Sequence, residues 1–241
     1  MKALAAFRFL LLVLAVGSAV ALAFAGLGYR FGWWHFRTGI LVVRWAGYVS
    51  IATAVLALVF VLVPRLRGPS WRLPGFALLV SGAIAAIGVI WGVRAQSVPR
   101  IHDITTDMEN PPVFAAVLPM RKGAENKVDY GGKEVAEQQK AGYPDIQPLR
   151  LAVPPNVAFA RAREAAQEMG WEIVASDPAQ GRIEATDTTF WFHFKDDIVV
   201  RIAVDGAGSR VDVRSLSRVG RSDIGTNARR IRAYLARVQA G

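Results

Sequence analysis

The sequence predicts three transmembrane α-helices followed by an α+β two-layer domain, built as helix, four-stranded antiparallel sheet, helix. Three observations carry this. Three uncharged apolar runs lie within residues 1–93. The composition changes abruptly at Arg94. Beyond Pro155 a helical repeat gives way to alternating apolar positions, then to a second helical repeat.

The apolar runs occupy residues 9–27, 45–63 and 74–93 and contain no charged side chain. At a rise of about 1.5 Å per residue, each can cross a hydrocarbon core of about 30 Å. In lipid only a helix satisfies its own backbone among single segments of this kind. Pro74 suits a first helical position, where its missing N–H costs nothing. Trp33, Trp34, Trp45, Tyr48, Trp71 and Trp91 cluster near the run ends, as interfacial aromatics do. Small residues spaced by four, Gly17, Ala21 and Ala25 on the first helix and Gly82 and Ala86 on the third, suit close helix approach.

The charge divides at the same place. The formal net charge is +10, from 29 Lys and Arg against 19 Asp and Glu. Residues 1–93 hold eight basic residues and no acidic one, whereas residues 94–241 hold 21 basic and 19 acidic. The basicity therefore marks helix ends, and nucleic acid is not an expected partner. The lipid bilayer is. An N-in topology puts Lys2, Arg8, Arg65, Arg67 and Arg72 inside and Arg30, Arg37, Arg44, Arg94 and Arg100 outside. The numbers tie, but the compact basic loop at 63–73 and the basic N-terminus favour N-in. The expectation is a multi-pass inner-membrane protein with a cytoplasmic N-terminus and a periplasmic C-terminal domain. Ala21-Leu22-Ala23 and Ala23-Phe24-Ala25 resemble signal-peptidase sites, but the apolar stretch exceeds a usual signal h-region and favours a retained helix.

Residues 97–153, between the membrane domain (1–96) and the soluble domain (154–241), are an extended Pro/Gly-rich segment, either a flexible spacer or an ordered belt, and its apolar anchors favour the belt. A short helix fits 133–140, and Val113, Phe114, Val117, Leu118, Tyr143, Ile146 and Leu149 are apolar anchors. Asn156 can cap a helix to about Met169, with Phe159, Ala162, Ala166 and Met169 on one face, and Gly170 ends it. Strands follow at 171–175, at 182–194 with a bulge near 187–189, at about 198–204, where Ile198, Val200, Ile202 and Val204 alternate with Asp197, Val199, Arg201 and Ala203, and around Val211 and Val213, which face inward while Arg210, Asp212, Arg214 and Arg218 share the other face. Turns fall at 177–181, 195–197 and 206–209. Phe190, Trp191, Phe192 and Phe194 fit core positions of a strand. A last helix starts near Ser222 or Asp223, with Ile224, Ala228, Ile231, Leu235 and Val238 as its apolar stripe. Arg229, Arg230, Arg232 and Arg237 lie outside that stripe, either solvated or on lipid headgroups.

Several segments resemble one family: PRIHDITTD (99–107), PPVF (111–114), YPDI (143–146), RIEATDTTFWFHFKDD (182–197) and VRSLSRVGRSDIGTNARRI (213–231). Together they are similar to the domain of unknown function 1499 family of bacterial membrane-anchored proteins, over about residues 97–238. The resemblance implies a domain and no particular chemistry. His193 departs from it, standing where the family pattern leads one to expect a small residue.

Two constellations are candidate ligand or interaction sites. His102 and Asp103 with Asp107 suit a hard or borderline cation or acid–base work; the same residues suit side-chain-to-backbone turns. Arg214, Arg218, Asp223 and Asn227 meet where a strand ends and a helix begins. They suit an anion, or an internal network in which Asp223 caps and Arg218 pairs. Asp187 can join either. The absence of Cys excludes zinc–thiolate sites, iron–sulfur clusters and cysteine nucleophiles. Three His, one of them in a membrane loop, make no triad or zincin spacing. No catalytic motif, resident metal or cofactor is expected. The expected role is docking to an envelope or membrane-protein partner; the alternative is a small-anion ligand-binding or hydrolytic domain.

Overall fold

The computed structural model describes residues 2–241 and divides into two compact units. The first holds the N-terminal helices as far as Gln96, together with Phe190–His193. Each apolar run lies inside a longer helix: α1 (Lys2–Arg30), α2 (Phe36–Leu62) and, after the short α3 (Pro64–Arg67), α4 (Arg72–Ser97). At 26–29 residues each of the three long helices is long and apolar enough to cross a hydrocarbon core of about 30 Å. The His35 imidazole accepts from the Arg37 amide at the start of α2. Arg8, almost wholly buried, donates to the Leu66 carbonyl and ties the basic loop back to α1.

Small side chains line the packed faces: Ala15 and Ser18 on α1, Ser50, Thr53 and Ala57 on α2, Ala77 and Ser81 on α4. Of the expected stripes, Ala25 is buried, but a Cβ at Gly17 or Gly82 would meet nothing within 4 Å. The large residues decide this. Leu11 is buried, and Phe60 stacks on Phe7 at 5.2 Å, which turns the Ala15–Ser18 face inward.

Within this unit a Cβ at Gly26 would lie 2.5 Å from the Trp191 indole, and one at Gly39 would lie 2.8 Å from the Phe192 ring. Glycine at these helix positions admits the two aromatic rings. Phe190 is 88% exposed. The aromatic run is therefore a loop and not the core strand expected of it. His193 takes a φ of 58°, the left-handed region that favours Gly, which accounts for the small residue expected at that position.

The second unit is a two-faced antiparallel sheet of six strands, where four were expected. Strands β1 (Asp103–Thr105) and β2 (Leu149–Leu151) come from the belt and lie along the same edge of β6 (Gly208–Ser217). The order continues through β5 (Lys195–Asp205) and β4 (Arg182–Thr188) to β3 (Glu172–Asp177). Three-residue strands are too short to show a period in sequence, which is why they read as belt. Residues 195–197, expected to turn, begin β5. The turn lies earlier, closed by Thr189, whose amide donates to the Phe194 carbonyl and whose hydroxyl accepts from the Phe194 amide. At the turn before β4, Gly181 is forced, with φ 59° and the Ile202 carbonyl 2.2 Å from any added Cβ.

Alternation puts Ile183, Ala185, Ile198, Val200, Ile202, Val211 and Val213 on one face. Helices α6 (Pro155–Glu168) and α7 (Thr226–Ala240) cover it, and α5 (Gly132–Gly142) stands beside β1. The Ala158, Ala162 and Ala166 stripe lets α6 close on the sheet. Tyr234 of α7 stacks on Trp171 at 4.8 Å and donates to the Ala162 carbonyl. Helix α7 starts later than expected because Ile224 and Gly225 hold left-handed φ angles, which a helix cannot include. The belt covers the opposite face, inserting Phe114 and Val117 beside Val199 and Leu216. The buried Gln139 of α5 pairs through its side-chain amide with both backbone groups of Thr105, closing the free edge of β1.

Candidate functional site

Strand parity that sends the aliphatic residues under the helices sends Asp103, Glu184, Thr186, Asp197, Arg201, Asp212 and Arg214 under the belt. The result is a layer of buried charge. Its members are paired one by one, as buried ions must be.

Arg214 and Asp103 form a bidentate pair at 2.9 and 2.7 Å, both nearly fully buried. The guanidinium also donates to the belt carbonyls of Pro112 and Val128 and lies against the Phe114 and Tyr130 rings. Burial, with the Asp103 charge adding to it, pushes the Tyr130 hydroxyl up to about 12. Arg218 reaches Asp197 at 2.7 Å and donates to the Met120 carbonyl. Asp197 is fully buried and also takes Arg121 from the belt and the Thr186 hydroxyl. Burial pulls the Arg121 guanidinium below its usual range, against the pull of Asp197. Glu184 accepts from the amides of Ala115 and Val117, which seats the belt on the sheet.

Asp107 lies further along β6. It accepts from the Glu109 and Asn110 amides and from Arg201 and Arg210, which share Asp212. Burial opposes its ionisation, but the Asn110 amide and the two guanidinium groups outweigh it and hold the carboxyl below its ordinary range.

The remaining candidates sit where α7 begins. Asn227 accepts from the Ser215 hydroxyl and donates to the Ser217 hydroxyl and the His102 carbonyl. Asp223 accepts from the Gly225 and Asn227 amides, and burial raises its carboxyl above the ordinary range. Arg230, buried on α7, bonds Asp187, Asp196, Ser215 and Asn227. Those two carboxylates raise its affinity for the proton against the opposing effect of burial. The His102 ring nitrogen Nδ1 lies 3.5 Å from the Arg221 carbonyl oxygen.

The eight sequence-predicted residues thus fall into separate networks. The His102 backbone, Asn227 and Asp223 join directly, and Asp187 joins them through Arg230. Asp103 with Arg214, Arg218 with Asp197, and Asp107 with Arg201 and Arg210 are each self-contained. Among the described residues no three His, Asp or Glu side chains come together to hold a metal ion. Sequence reasoning missed Arg121, Glu184, Asp196 and Arg230. Parity placed Asp197 on the outer face, but not the belt arginine that meets it. Arg230 was missed because the buried face of α7 is wide enough to include Asn227, Arg230 and Tyr234 beside its aliphatic stripe.

The family model described as "Protein of unknown function (DUF1499)" matches residues 103–238, more than half of the chain, and the chain belongs to that family. No curated protein matches it.

Proposed function

We propose that this member of the DUF1499 family is a binding module anchored in the inner membrane, with its N-terminus cytoplasmic and its C-terminal domain periplasmic. The module docks to an envelope or membrane-protein partner and carries no cofactor. The observation that supports it is the outer surface of the belt. Buried Glu184 and Arg214 and half-buried Arg218 fix the belt's backbone, yet it turns Val113 (72% exposed), Leu118 (44%) and Met120 (39%) to solvent. Large apolar side chains on a firmly seated segment suit a protein partner, because little ordering entropy opposes docking. The alternative, an anion-binding or hydrolytic site using His102, Asp103, Asp187, Arg214, Arg218 and Asp223, needs these groups to meet at one ligand. Their engagement with internal partners favours the first reading.

The test is affinity isolation of the full chain from mildly solubilised membranes at native levels, beside the V113D/L118D/M120D variant. A stoichiometric partner recovered with the wild type and lost with a variant of unchanged thermal unfolding supports docking through the belt. Recovery of the wild type alone overturns it.

A further inference from the structure

Arg121, Arg214, Arg218 and Arg230 all end on carboxylates. Arg100, Arg161, Arg163, Arg221 and Arg229 of the same unit do not. Arg100 and Arg221 line a pocket of about 380 Å³ with Ser222, and among the described residues no side chain or carbonyl takes up either guanidinium. That volume lies within the range of about 300–1,000 Å³ usual for small-ligand sites.

The pocket's two walls are held in place. The Asp223 amide donates to the Ile101 carbonyl and the Ser217 amide to the His102 carbonyl, which pins segment 100–102 beside loop 218–223. Asn126 holds the loop from the other side through the Ser217 and Gly220 carbonyls. The Ser222 hydroxyl accepts from the Ile224 amide, so its own proton remains to be donated. The nearby carboxylates are committed elsewhere, Asp223 to two amides and Asp103 to Arg214. Two unneutralised guanidinium groups and a hydroxyl donor match the charge and acceptor oxygens of a phosphate.

The chain itself supplies the setting. Arg100 follows the end of α4 at Ser97 by three residues, a reach of about 10 Å at most. A helix of 26 residues already extends past the hydrocarbon core, so Arg100 is tethered to the headgroup layer. We propose that Arg100, Arg221 and Ser222 form a phosphate-binding pocket, which an anionic phospholipid headgroup fills. The inference is independent of partner docking, because it is tested on the purified full chain.

That test has two arms, on wild type, R100Q/R221Q and the control R161Q/R163Q, which removes equal charge from α6. In the first, phosphatidylglycerol is titrated into detergent-solubilised protein and retained lipid is read by native mass spectrometry. In the second, inorganic phosphate is titrated by calorimetry. Lipid retention about tenfold weaker in R100Q/R221Q alone supports the pocket with a headgroup as its source. Binding of inorganic phosphate lost only in that variant, with lipid retention alike in all three, supports the pocket with free phosphate as its source. Equal behaviour of R100Q/R221Q and R161Q/R163Q in both arms overturns the proposal. Both arginines are exposed and outside every internal network, so the variant folds as the wild type does.

Discussion

Arg214→Met tests whether the buried charge layer holds the belt down. Methionine keeps the aliphatic stem but not the guanidinium that lies against the Phe114 and Tyr130 rings. What goes is the bidentate pair with Asp103 and the donors to the Pro112 and Val128 carbonyls. Asp103 is 4% exposed and would stay buried without a counter-charge. A unit charge about 4 Å away is worth about 4 kcal/mol at an effective dielectric constant of about 20. Loss of one partner of a buried pair costs about 3–5 kcal/mol. The effect is local, because both carbonyls belong to the belt. Hydrogen exchange of the full chain in detergent should therefore show the Ala115 and Val117 amides exchanging about 100-fold faster or more, at about 1.4 kcal/mol per factor of ten. In D103L/R214M no charge is stranded, and most of the protection should return. Unchanged protection in R214M, or a double variant worse than the single, would refute the clamp.

Two other predictions concern separate parts of the molecule. Asp107 is held below its ordinary value near 3.8, so it contributes stability above that pH, lost as pH falls through its folded value; Asp223, raised by burial, loses its contribution as pH rises through its own. Paired denaturation curves should show D107N flattening the acid limb and D223N removing a decline above about pH 4, and an unchanged difference from wild type across pH would sink either assignment. In the membrane unit, G26A should lower the thermal midpoint in detergent through a clash worth about 1–3 kcal/mol with the Trp191 indole, while G17A, with open space around it, should be neutral or stabilising.

The membrane helices were legible because an uncharged run long enough to cross a bilayer has few other uses. Their packed faces were less so. Spacing by four marks a stripe of small residues, but Gly17 shows that a stripe can face lipid while Leu11 and Phe60 choose the interface. In the soluble domain, alternation correctly assigned Ile198, Val200, Val211 and Val213 to one face and Arg210, Asp212 and Arg214 to the other. It failed at 190–194. There the aromatic residues carry strand propensity, but Trp191 and Phe192 meet helix glycines more than 150 residues away in the chain, and propensity holds no record of such partners.

Charge was legible by face and not by partner. Asp197 and Arg218 were both visible as outward-facing residues, yet what makes them structural is Arg121, delivered by a belt without any sequence period. The same gap explains why Arg100 and Arg221 were not among the candidate site residues. In sequence they are two more arginines among many. They become distinctive only once the other arginines of the buried networks are seen to end on carboxylates, because a guanidinium left unneutralised in a pocket gains most from an anion that the fold does not itself supply. In a near-balanced domain, then, the charge that points to a ligand is the residue of the internal pairing. It can be found only by accounting for every pair, and at this pocket that accounting leaves two guanidinium groups without a carboxylate.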